Sequence, residues 1–162
     1  MRAIVVSDSH GGRLELRYML EELWPSVGPV DAYVHCGDGA NDLISLTSLI
    51  LQRDPKCRLF CVSGNCDFAR SLQETLEFEL GGVKVFLCHG HQYGVKNGLA
   101  WLDSTTRNRG CSVALYGHTH EPHMEMRQSL LLNPGSVMQG RSLILEAENG
   151  KMTSIRMLEH GQ

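Results

Sequence analysis

The sequence predicts an α/β fold that begins with parallel βαβ units and ends with antiparallel strands. Short apolar runs rich in β-branched residues recur in the first part of the chain, and each ends in glycine and a polar cluster. Stretches with helical apolar periodicity separate these runs. This alternation is typical of parallel βαβ units, whereas the last third of the chain carries hairpin signals.

The first half supplies the strands and helices of these units. AIVVSDSHGG, VDAYVHCGDGAND and CRLFCVSGNCD each predict a strand that ends in a turn. RLELRYMLEELW and DLISLTSLILQR lie between them and predict amphipathic helices. The carboxyl ends of the three strands are therefore expected to meet at one edge of a sheet.

The second half changes character. TLEFELGGVKVFLCHG predicts two strands around the turn at Gly81-Gly82, GLAWLDSTTRNRG predicts a helix, and CSVALYG predicts a buried strand. MEMRQSLLLNPGS and SLILEAENGKMTSIRML predict antiparallel strands, the last pair joined at Asn149-Gly150. The chain is thus expected to finish with a meander. Since no repeat or linker interrupts it, residues 1–162 are predicted to form a single domain.

Charge and hydropathy narrow the class of protein. The chain has 162 residues, a formal net charge of −3 and a sequence pI of about 6.2. It lacks the basic excess that non-specific nucleic-acid binding needs, although a small nucleotide substrate is compatible with this charge. No apolar run approaches the ~20 residues that span a membrane, and MRAIVVSDSHGG is too weakly apolar for a secretion signal. We therefore expect a cytoplasmic protein with no membrane partner.

Six cysteines occur without any CxxC pair, which argues against a structural zinc knot. They are Cys36, Cys57, Cys61, Cys66, Cys88 and Cys111. Five of them sit in or beside apolar runs, so buried free thiols are expected rather than disulfides.

Polar clusters follow five of the predicted strands. They are Asp8-Ser9-His10, Gly37-Asp38, Gly64-Asn65-Cys66-Asp67, His89-Gly90-His91 and Gly117-His118-Thr119-His120. In open α/β sheets, ligands bind at the carboxyl ends of the strands. A chain that built only a core would have no reason to place most of its histidines there.

The spacing within these clusters suggests a shared target. Residues i and i+2 of an extended chain point the same way, so Asp8 can converge with His10, and His118 with His120. Carboxylate, amide and imidazole ligands suit Mn, Fe, Zn or Ni better than Ca or Mg. Seven such groups are too many for one tetrahedral zinc and fit two cations ~3.5–4 Å apart that share a carboxylate.

The ordered motifs DSH, GD, GNCD, CHGH and GHTH resemble the calcineurin-like metallophosphoesterase superfamily. The NPGS segment at 133–136 also resembles its small single-domain branch, the YfcE-type phosphodiesterases, to which the retromer subunit Vps29 is related. The resemblance covers most of the chain. It implies a four-layer α/β/β/α sandwich with two mixed sheets and a metal centre at the strand ends.

The resemblance also implies roles for individual residues. The first metal would be bound by Asp8, His10 and His120, and the second by Asn65, His89 and His118, with Asp38 bridging both. A hydroxide held between the metals would attack a small phosphodiester, with Asp38, Asn65 and His89 closest to the reaction. Asn65 could also contact phosphate, because its amide keeps an N–H donor. Mn²⁺ is the first candidate metal, and Fe, Zn and Ni are alternatives.

One position departs from much of the superfamily. Cys66 stands where many members have a histidine, in a GNH motif, as the acid for the leaving group. General acid catalysis is typically worth ~10²–10⁴-fold, so we expect a preference for good leaving groups or a proton from water or another histidine. Cys66, His91 and His123 are predicted substrate contacts.

Other interpretations compete at several positions. Asn65 could be a turn residue, and His91 rather than His89 could be the ligand from CHGH, although His89 leaves the strand directly. Asp8 and Asp38 could be helix caps, but Asp42 is a better cap for the second helix. Asp67 could orient a neighbour or merely form a turn.

Further polar residues have expected roles outside the ligand set. His35 is expected to be a satisfied core or supporting histidine, and His160 a solvated tail residue. Ser9 and Ser136 are expected to hydrogen-bond groups behind the site.

Two other functions remain open at this point. A phosphomonoesterase or nucleotidase could use the same metals, although the missing GNH histidine weakens that alternative. A Vps29-like interaction scaffold is the other, but every ligand position here keeps a competent residue. The oligomeric state and the physiological substrate are not predicted.

Overall fold

The computed structural model describes residues 1–68 and 71–161. Its strands are Arg2–Val6 (β1), Ala32–His35 (β2), Arg58–Cys61 (β3), Thr75–Leu80 (β4), Val83–Cys88 (β5), Val113–Leu115 (β6), Pro122–Met126 (β7), Leu130–Pro134 (β8), Arg141–Glu148 (β9) and Lys151–Glu159 (β10). Its α-helices are Arg13–Leu23 (α1), Ala40–Ser45 (α2), Thr47–Arg53 (α3) and Ala100–Asn108 (α4). Single 3₁₀ turns lie at His91–Tyr93 and Val137–Gln139.

The strands form two mixed sheets of five. The first has the order β10-β9-β1-β2-β3, with β1, β2 and β3 mutually parallel and β9 and β10 antiparallel to their neighbours. The second has the order β4-β5-β6-β8-β7, with β5, β6 and β8 parallel. The predicted βαβ units and both hairpins are confirmed.

The predicted C-terminal meander is wrong. Strands β7 and β8 belong to the second sheet, where β8 lies parallel to β6, whereas β9 and β10 return to the first sheet beside β1. Apolar runs such as LLLNP and SLILEAE specify buried strands but not their neighbours, because partner choice depends on the packing of the whole sheet.

Three apolar clusters show that the molecule has four layers. Alternate residues of β1 point to opposite faces: Ala3 and Val5 pack between the two sheets, while Ile4 and Val6 pack against the α1–α3 side. A third cluster, which includes Leu102, lies between the second sheet and α4. Each fully buried valine or leucine contributes ~1.5–3 kcal/mol. The four-layer α/β/β/α prediction is confirmed.

The second predicted helix is broken in two, and its predicted cap is wrong. DLISLTSLILQR forms α2 and α3, which meet at Leu46. Helix α2 begins after Gly39, whose φ of 118° favours glycine. Asp42 lies within the first turn and instead accepts hydrogen bonds from the Ser9 hydroxyl at 2.6 Å and the Gly11 amide at 2.9 Å.

All six cysteines are free thiols, and Cys66 is the exposed one among them. Across the described residues, the α-helices are all too short or too polar to cross a bilayer.

Candidate metal centre

The predicted ligands lie in five loops that follow strands of both sheets. Asp8 and His10 follow β1, Asp38 follows β2, and Asn65 follows β3, all in the first sheet. His89 follows β5, and the GHTH turn with His118 and His120 follows β6, both in the second sheet. The carboxyl edges of the two sheets therefore face one site, as expected for a ligand-binding edge.

Two buried carboxylates stand at the middle of the site. Oδ1 of Asp8 lies 3.3 Å from Nε2 of His120, 3.8 Å from Nε2 of His10 and 3.9 Å from Nε2 of His89. Oδ2 of Asp38 lies 3.3 Å from Nε2 of His89 and 3.9 Å from that of His10. The His10 and His120 Nε2 atoms are 3.2 Å apart. Five of the seven predicted ligands thus turn their donor atoms toward one another.

The other two predicted ligands, His118 and Asn65, are placed differently. The ring of His118 lies 5.1 Å from that of His89, and its backbone N–H donates to Oδ2 of Asp8 at 3.1 Å. Asn65 is exposed, and its side-chain amide donates to Sγ of Cys66 at 3.4 Å. His118 therefore joins the site, whereas the Asn65 amide is turned toward the neighbouring sulfur.

The Cys66 thiol lies close to two predicted metal ligands, a position that the sequence did not predict. Sγ of Cys66, an imidazole nitrogen of His10 and a carboxylate oxygen of Asp38 lie within 4.8 Å of one another. The hydrogen bond with the Asp38 carboxylate raises the pKa of the Cys66 thiol above its usual range. The sequence placed a thiol in the GNCD turn, but nothing in it indicated how close that thiol comes to the two groups.

Five of the predicted ligands adopt left-handed backbone conformations. They are Asp8 (φ 52°), His10 (φ 47°), Asp38 (φ 55°), His118 (φ 70°) and His120 (φ 62°). Such residues cost on the order of 1–3 kcal/mol each and cluster at functional sites. The predicted convergence of Asp8 with His10 occurs, with Oδ1 and Nε2 3.8 Å apart, but left-handed turns produce it. His118 and His120 have different neighbours, since His118 lies beside His89 and His120 beside Asp8 and His10. The extended-chain reason given by the sequence pattern was wrong.

Neighbouring groups leave one atom free on each of two buried side chains. Oδ2 of Asp8 accepts from the Ser7 hydroxyl at 2.7 Å and from the His118 amide, while Oδ1 has no hydrogen-bond partner. Nδ1 of His89 lies 2.8 Å from the Cys36 carbonyl and therefore donates to it, while Nε2 has no hydrogen-bond partner. This pattern is typical of metal-binding histidines and carboxylates.

Asp67 holds two of the site loops together. Its carboxylate accepts from the backbone N–H groups of Asp38, Gly39 and Gly64, each at 2.8 Å. The Cys66 N–H in turn donates to Oδ1 of Asp38 at 2.7 Å. Of the two roles open for Asp67 from sequence, the orienting role is the one that the geometry supports.

Behind the site, a buried histidine has a complete set of partners. Nδ1 of His35 accepts from the Gly37 N–H at 3.1 Å, and Nε2 lies 3.0 Å from the Ser9 hydroxyl, which donates onward to Asp42. Burial lowers the pKa of His35 to about 4. His35 is therefore neutral at pH 7, as expected for a supporting histidine, and Ser9 supports the site as expected.

Ser136 also behaves as expected. Its hydroxyl donates to the backbone carbonyl of Asp8 at 2.8 Å and accepts from the Met138 N–H. It therefore fixes the left-handed turn at Asp8 from the side of β8.

The ionisation of the site suits cation binding. Burial would raise the pKa of Asp38, but the His89 imidazole and the Cys66 N–H outweigh it and hold that pKa well below its usual range. Burial and the charges of His89 and Lys96 lower the pKa of His118 to about 4. Burial raises the pKa of Asp8, a penalty that a bound cation would reverse. At neutral pH the site therefore offers the Asp38 carboxylate together with a neutral His118.

Two of the remaining predicted residues lie at different distances from the site. The ring of His91 is 5.4 Å from that of His89 and 6.0 Å from that of His118, so it borders the site. Its Nδ1 is buried without a hydrogen-bond partner. His123 is exposed on β7, where Nε2 lies 3.1 Å from the Glu125 carboxylate. Its predicted contact with substrate has no support in this geometry.

The expectation for His160 is wrong. Its side chain is only 8% exposed, with Nε2 2.8 Å from the Ser142 hydroxyl and Nδ1 3.6 Å from the Glu22 carboxylate. Because β10 extends to Glu159, the tail packs against the first sheet rather than entering solvent.

The donor set fits metal ions. The groups Asp8–His10–His120 and Asp8–Asp38–His89 each bring one ligand atom per residue within 4.8 Å of the others. The two groups share Asp8. Two buried atoms between them lack hydrogen-bond partners, Oδ1 of Asp8 and Nε2 of His89. Such a network without its cation would leave buried polar atoms unsatisfied, at ~1–3 kcal/mol each.

Known protein sequences that resemble this chain are phosphoesterases. The family model of the calcineurin-like phosphoesterase superfamily domain matches residues 1–149. Probable metallophosphoesterase YsnB of Bacillus subtilis (strain 168) is 32% identical over 139 residues, 85% of this chain and 75% of that protein. Phosphodiesterase YfcE of Escherichia coli (strain K12) is 34% identical over 90 residues, 49% of this chain and 45% of that protein.

Solved structures resemble the fold over nearly its whole length. A conserved uncharacterized protein of Streptococcus pneumoniae TIGR4, a predicted phosphoesterase, is 30% identical with a TM-score of 0.74, covering 98% of this chain and 88% of that one. Wild-type Vps29 complexed with Zn²⁺ from Entamoeba histolytica is 20% identical with a TM-score of 0.71, covering 98% and 97%. The Vps29 likeness shows a shared fold.

Proposed function

Because the chain belongs to the calcineurin-like phosphoesterase superfamily, we propose that it is a metal-dependent phosphodiesterase with a dinuclear centre. One observation carries this proposal: Oδ1 of Asp8 and Nε2 of His89 are fully buried, face the same space and lack partners. A divalent cation bound beside them would satisfy both atoms.

The proposed ligand set follows the family pattern. One cation would be held by Asp8, His10 and His120, the other by Asn65, His89 and His118, with Asp38 between them. Bound divalent cations supply charge neutralisation at phosphoryl oxygens and a water of lowered pKa. Asp38 is suited to a shared position because its two oxygens have different neighbours, the Cys66 N–H and the His89 imidazole.

Protein groups around the cations would position the substrate. Asn65 is exposed at the rim and keeps an amide donor that can reach a phosphoryl oxygen. His91 offers a buried Nδ1 without a partner next to His118, and burial lowers its pKa, so at neutral pH it can donate or accept one hydrogen bond. These two side chains are the proposed substrate contacts, and Asp38 and His89 the groups nearest the reacting phosphorus.

Leaving-group chemistry sets the proposed substrate range. Cys66 occupies the position of the acid in GNH members, and with an ordinary or raised pKa a thiol is a poor proton donor at pH 7. We therefore expect small phosphodiesters with good leaving groups to be the preferred substrates, with rates that fall steeply as the leaving-group pKa rises.

Several broader assignments accompany this proposal. Mn²⁺ is the first candidate metal for carboxylate and imidazole ligands, and Fe, Zn and Ni are alternatives. Six free thiols favour a reducing, cytoplasmic location. Residues 1–162 are proposed as one domain, because β9 and β10 complete the sheet that begins with β1. The negative charge does not favour a nucleic-acid partner.

Metal removal and a substrate panel test the function. The protein would be chelated, analysed for residual metal, and assayed on aryl diesters, aryl monoesters and nucleotides with and without added Mn²⁺. We expect diester hydrolysis to exceed monoester hydrolysis, to fall at least ~10²-fold on chelation, and to return with metal. Faster monoester turnover would instead identify a phosphomonoesterase. A protein that binds no metal and hydrolyses none of the panel would favour a scaffold.

A further inference from the structure

Strand β7 forms one edge of the second sheet. Within the described residues it pairs with β8 alone, in antiparallel register from Pro122 opposite Pro134 to Met126 opposite Leu130. An unpaired edge presents a row of backbone N–H and C=O groups that can bind a further strand. The side chains of β7 therefore indicate which strand this edge suits.

The hydrogen bonds of β8 show which residues of β7 turn their backbone groups outward. The Leu130 N–H donates at 2.9 Å to the residue before β6, and the Leu132 carbonyl accepts at 3.0 Å from the residue after β6. Since these groups alternate in direction along a strand, the residues between them on β8 bond to β7. Met124 and Met126, which lie opposite Leu132 and Leu130, therefore turn their N–H and C=O groups toward the open edge.

The two methionines also leave apolar surface at this edge. The side chains of Met124 and Met126 are 56% and 70% exposed, although their β8 partners belong to the core between the sheets. Charges and prolines commonly protect an edge strand from further pairing. Pro122 removes one N–H here, but the other two outward positions carry uncharged side chains.

The opposite face of β7 carries alternating charges. Nε2 of His123 lies 3.1 Å from the Glu125 carboxylate, which also pairs with Arg127, and Glu121 directly precedes the strand. A second β7 can add antiparallel across a two-fold axis, where each residue meets the same surface of the other copy. The residue on which the axis falls then decides which charges face each other.

An axis at Met124 gives complementary charges. It places His123 opposite Glu125 of the other copy, and Glu121 opposite Arg127 of the other copy. Opposite charges that face each other across two strands stabilise the pair. This axis also lies at the middle of the strand, so the whole of β7 overlaps its counterpart.

Neighbouring axes give worse pairings. An axis at Glu125 would place the two Glu125 carboxylates opposite each other and His123 opposite Arg127. An axis at His123 would place Glu125 opposite Glu121. Like charges directly opposite destabilise a strand pair. An axis at Met126, the last residue of β7, would overlap the two strands by that residue alone.

The backbone and the apolar face agree with the axis at Met124. The outward N–H of Met124 would donate to the carbonyl of its counterpart, and that of Met126 to the Pro122 carbonyl of the other copy. On the apolar face, Met124 would pack against its counterpart, and Met126 against Pro122 of the other copy.

We propose that a second copy of this chain binds at β7 across a two-fold axis at Met124, which joins the two second sheets into one continuous sheet. Because β7 begins two residues after His120, the GHTH turn of each copy would lie next to the interface. The inference concerns the edge of the sheet and does not depend on the proposed function.

Cysteine cross-linking tests the position of the axis. Directly opposite, hydrogen-bonded residues have Cα atoms ~5.5 Å apart, a distance that a disulfide spans. In a Cys66→Ser background, which removes the exposed thiol, Met124→Cys should form a disulfide-linked dimer under mild oxidation. Met126→Cys is the matched control, because its counterpart would lie roughly 13 Å away along the strand, and it should remain uncross-linked on non-reducing electrophoresis.

Sedimentation velocity measures the assembly itself. The 18.0 kDa chain should show a monomer–dimer equilibrium. Met124→Glu would place two carboxylates opposite each other on the axis and should weaken association at least ~10-fold. Leu14→Glu is the matched control, because Leu14 is 59% exposed on α1, and it should associate like the wild type. Circular dichroism would verify that each variant is folded.

Two results would overturn the proposal. A wild type that stays monomeric at its highest soluble concentration would exclude a second copy at this edge and leave a strand of another protein as the alternative. A dimer that survives Met124→Glu, or equal cross-linking of Met124→Cys and Met126→Cys, would exclude pairing through β7. The proposed function is tested separately by metal content and hydrolysis, which these experiments do not measure.

Discussion

Two buried aspartates, Asp8 and Asp54, lie at opposite ends of the first sheet and differ in how their charges are satisfied. Asp54, 7% exposed, accepts from the Tyr33 hydroxyl at 2.6 Å and from the Val30 N–H at 3.2 Å, and it pairs with Arg53. Asp8, fully buried, has two donors on Oδ2 and none on Oδ1.

This difference distinguishes a structural carboxylate from a ligand-binding one. At Asp54 a cation and two donors come from the chain itself, so the charge is compensated within the fold. At Asp8 the nearest groups to the free oxygen are imidazoles of His10, His89 and His120 that are themselves suited to metals. Backbone strain follows the same division, because Asp8 has a φ of 52° and Asp54 a φ of −123°.

The largest effect is expected for Asp8→Asn. The amide oxygen can keep the hydrogen bonds from Ser7 and His118, which places the NH₂ group where Oδ1 pointed at the imidazoles. An NH₂ group cannot bind a cation. We expect diesterase kcat/KM to fall on the order of 10³-fold, equivalent to about 4 kcal/mol, with loss of bound metal measured by elemental analysis.

The same variant provides a stability readout. The free energy of unfolding of the metal-free protein should change by less than ~1 kcal/mol, because an uncompensated buried charge has been removed. If Asp8→Asn lost much stability but kept its bound metal, Asp8 would be a structural carboxylate like Asp54 and not a metal ligand.

The next effect is expected for Asp54→Asn, with the opposite pattern. Tyr33 loses its charged acceptor, Arg53 loses its partner, and the hydrogen bond from Trp24 to the Tyr33 hydroxyl is disturbed. We expect a loss of ~2–4 kcal/mol in urea unfolding with unchanged kcat/KM per folded molecule. If activity and metal content fell while the free energy of unfolding stayed unchanged, the hydrogen-bond network around Asp54 would serve the metal site and not the stability of the fold.

A smaller, pH-dependent effect is expected from His35, which lies behind the metal site but is satisfied like Asp54. Its folded pKa of about 4 lies below the ordinary 6.5, so the folded state favours the neutral ring. The contribution of His35 to the free energy of unfolding is complete above pH 6.5. It is lost as the pH falls from 6.5 toward 4, because over this interval the unfolded state binds more protons than the folded state.

Between pH 6.5 and pH 5 this loss amounts to about 2 kcal/mol for the wild type. Urea unfolding of metal-free protein at several pH values measures it. His35→Gln should be less stable at pH 7 yet show a flatter dependence over the same interval. Parallel slopes for the two proteins would mean that His35 is not the titrating group.

Local patterns in the sequence were sufficient for most of the elements. The apolar periodicity of RLELRYMLEELW predicted α1, and the turns at Gly81-Gly82 and Asn149-Gly150 predicted two hairpins. These signals depend on neighbouring residues alone. The meander failed because the parallel pairing of β8 with β6 joins segments that are not consecutive strands. His160 failed because its partner Glu22 lies on α1, far away in sequence.

The site was predictable in composition but not in geometry. Ligand-type residues at strand ends indicated where a metal centre should form, because parallel strands bring their carboxyl ends together. The left-handed turns at Asp8, His10 and Asp38 were not predictable, since non-glycine residues adopt them only when surrounding structure compensates the strain. The approach of the Cys66 thiol to Asp38 likewise depends on the clamp made by Asp67.

The sequence by itself determined the α/β class, the hairpins, the family and the identity of the candidate ligands, because these follow from local periodicity and from residue types in fixed order. Only the tertiary structure decided which atoms remain unpartnered, which carboxylate is compensated by an arginine, and which way the Asn65 amide and the Cys66 sulfur face. Those features arise from contacts between distant segments, and burial makes each missing partner costly.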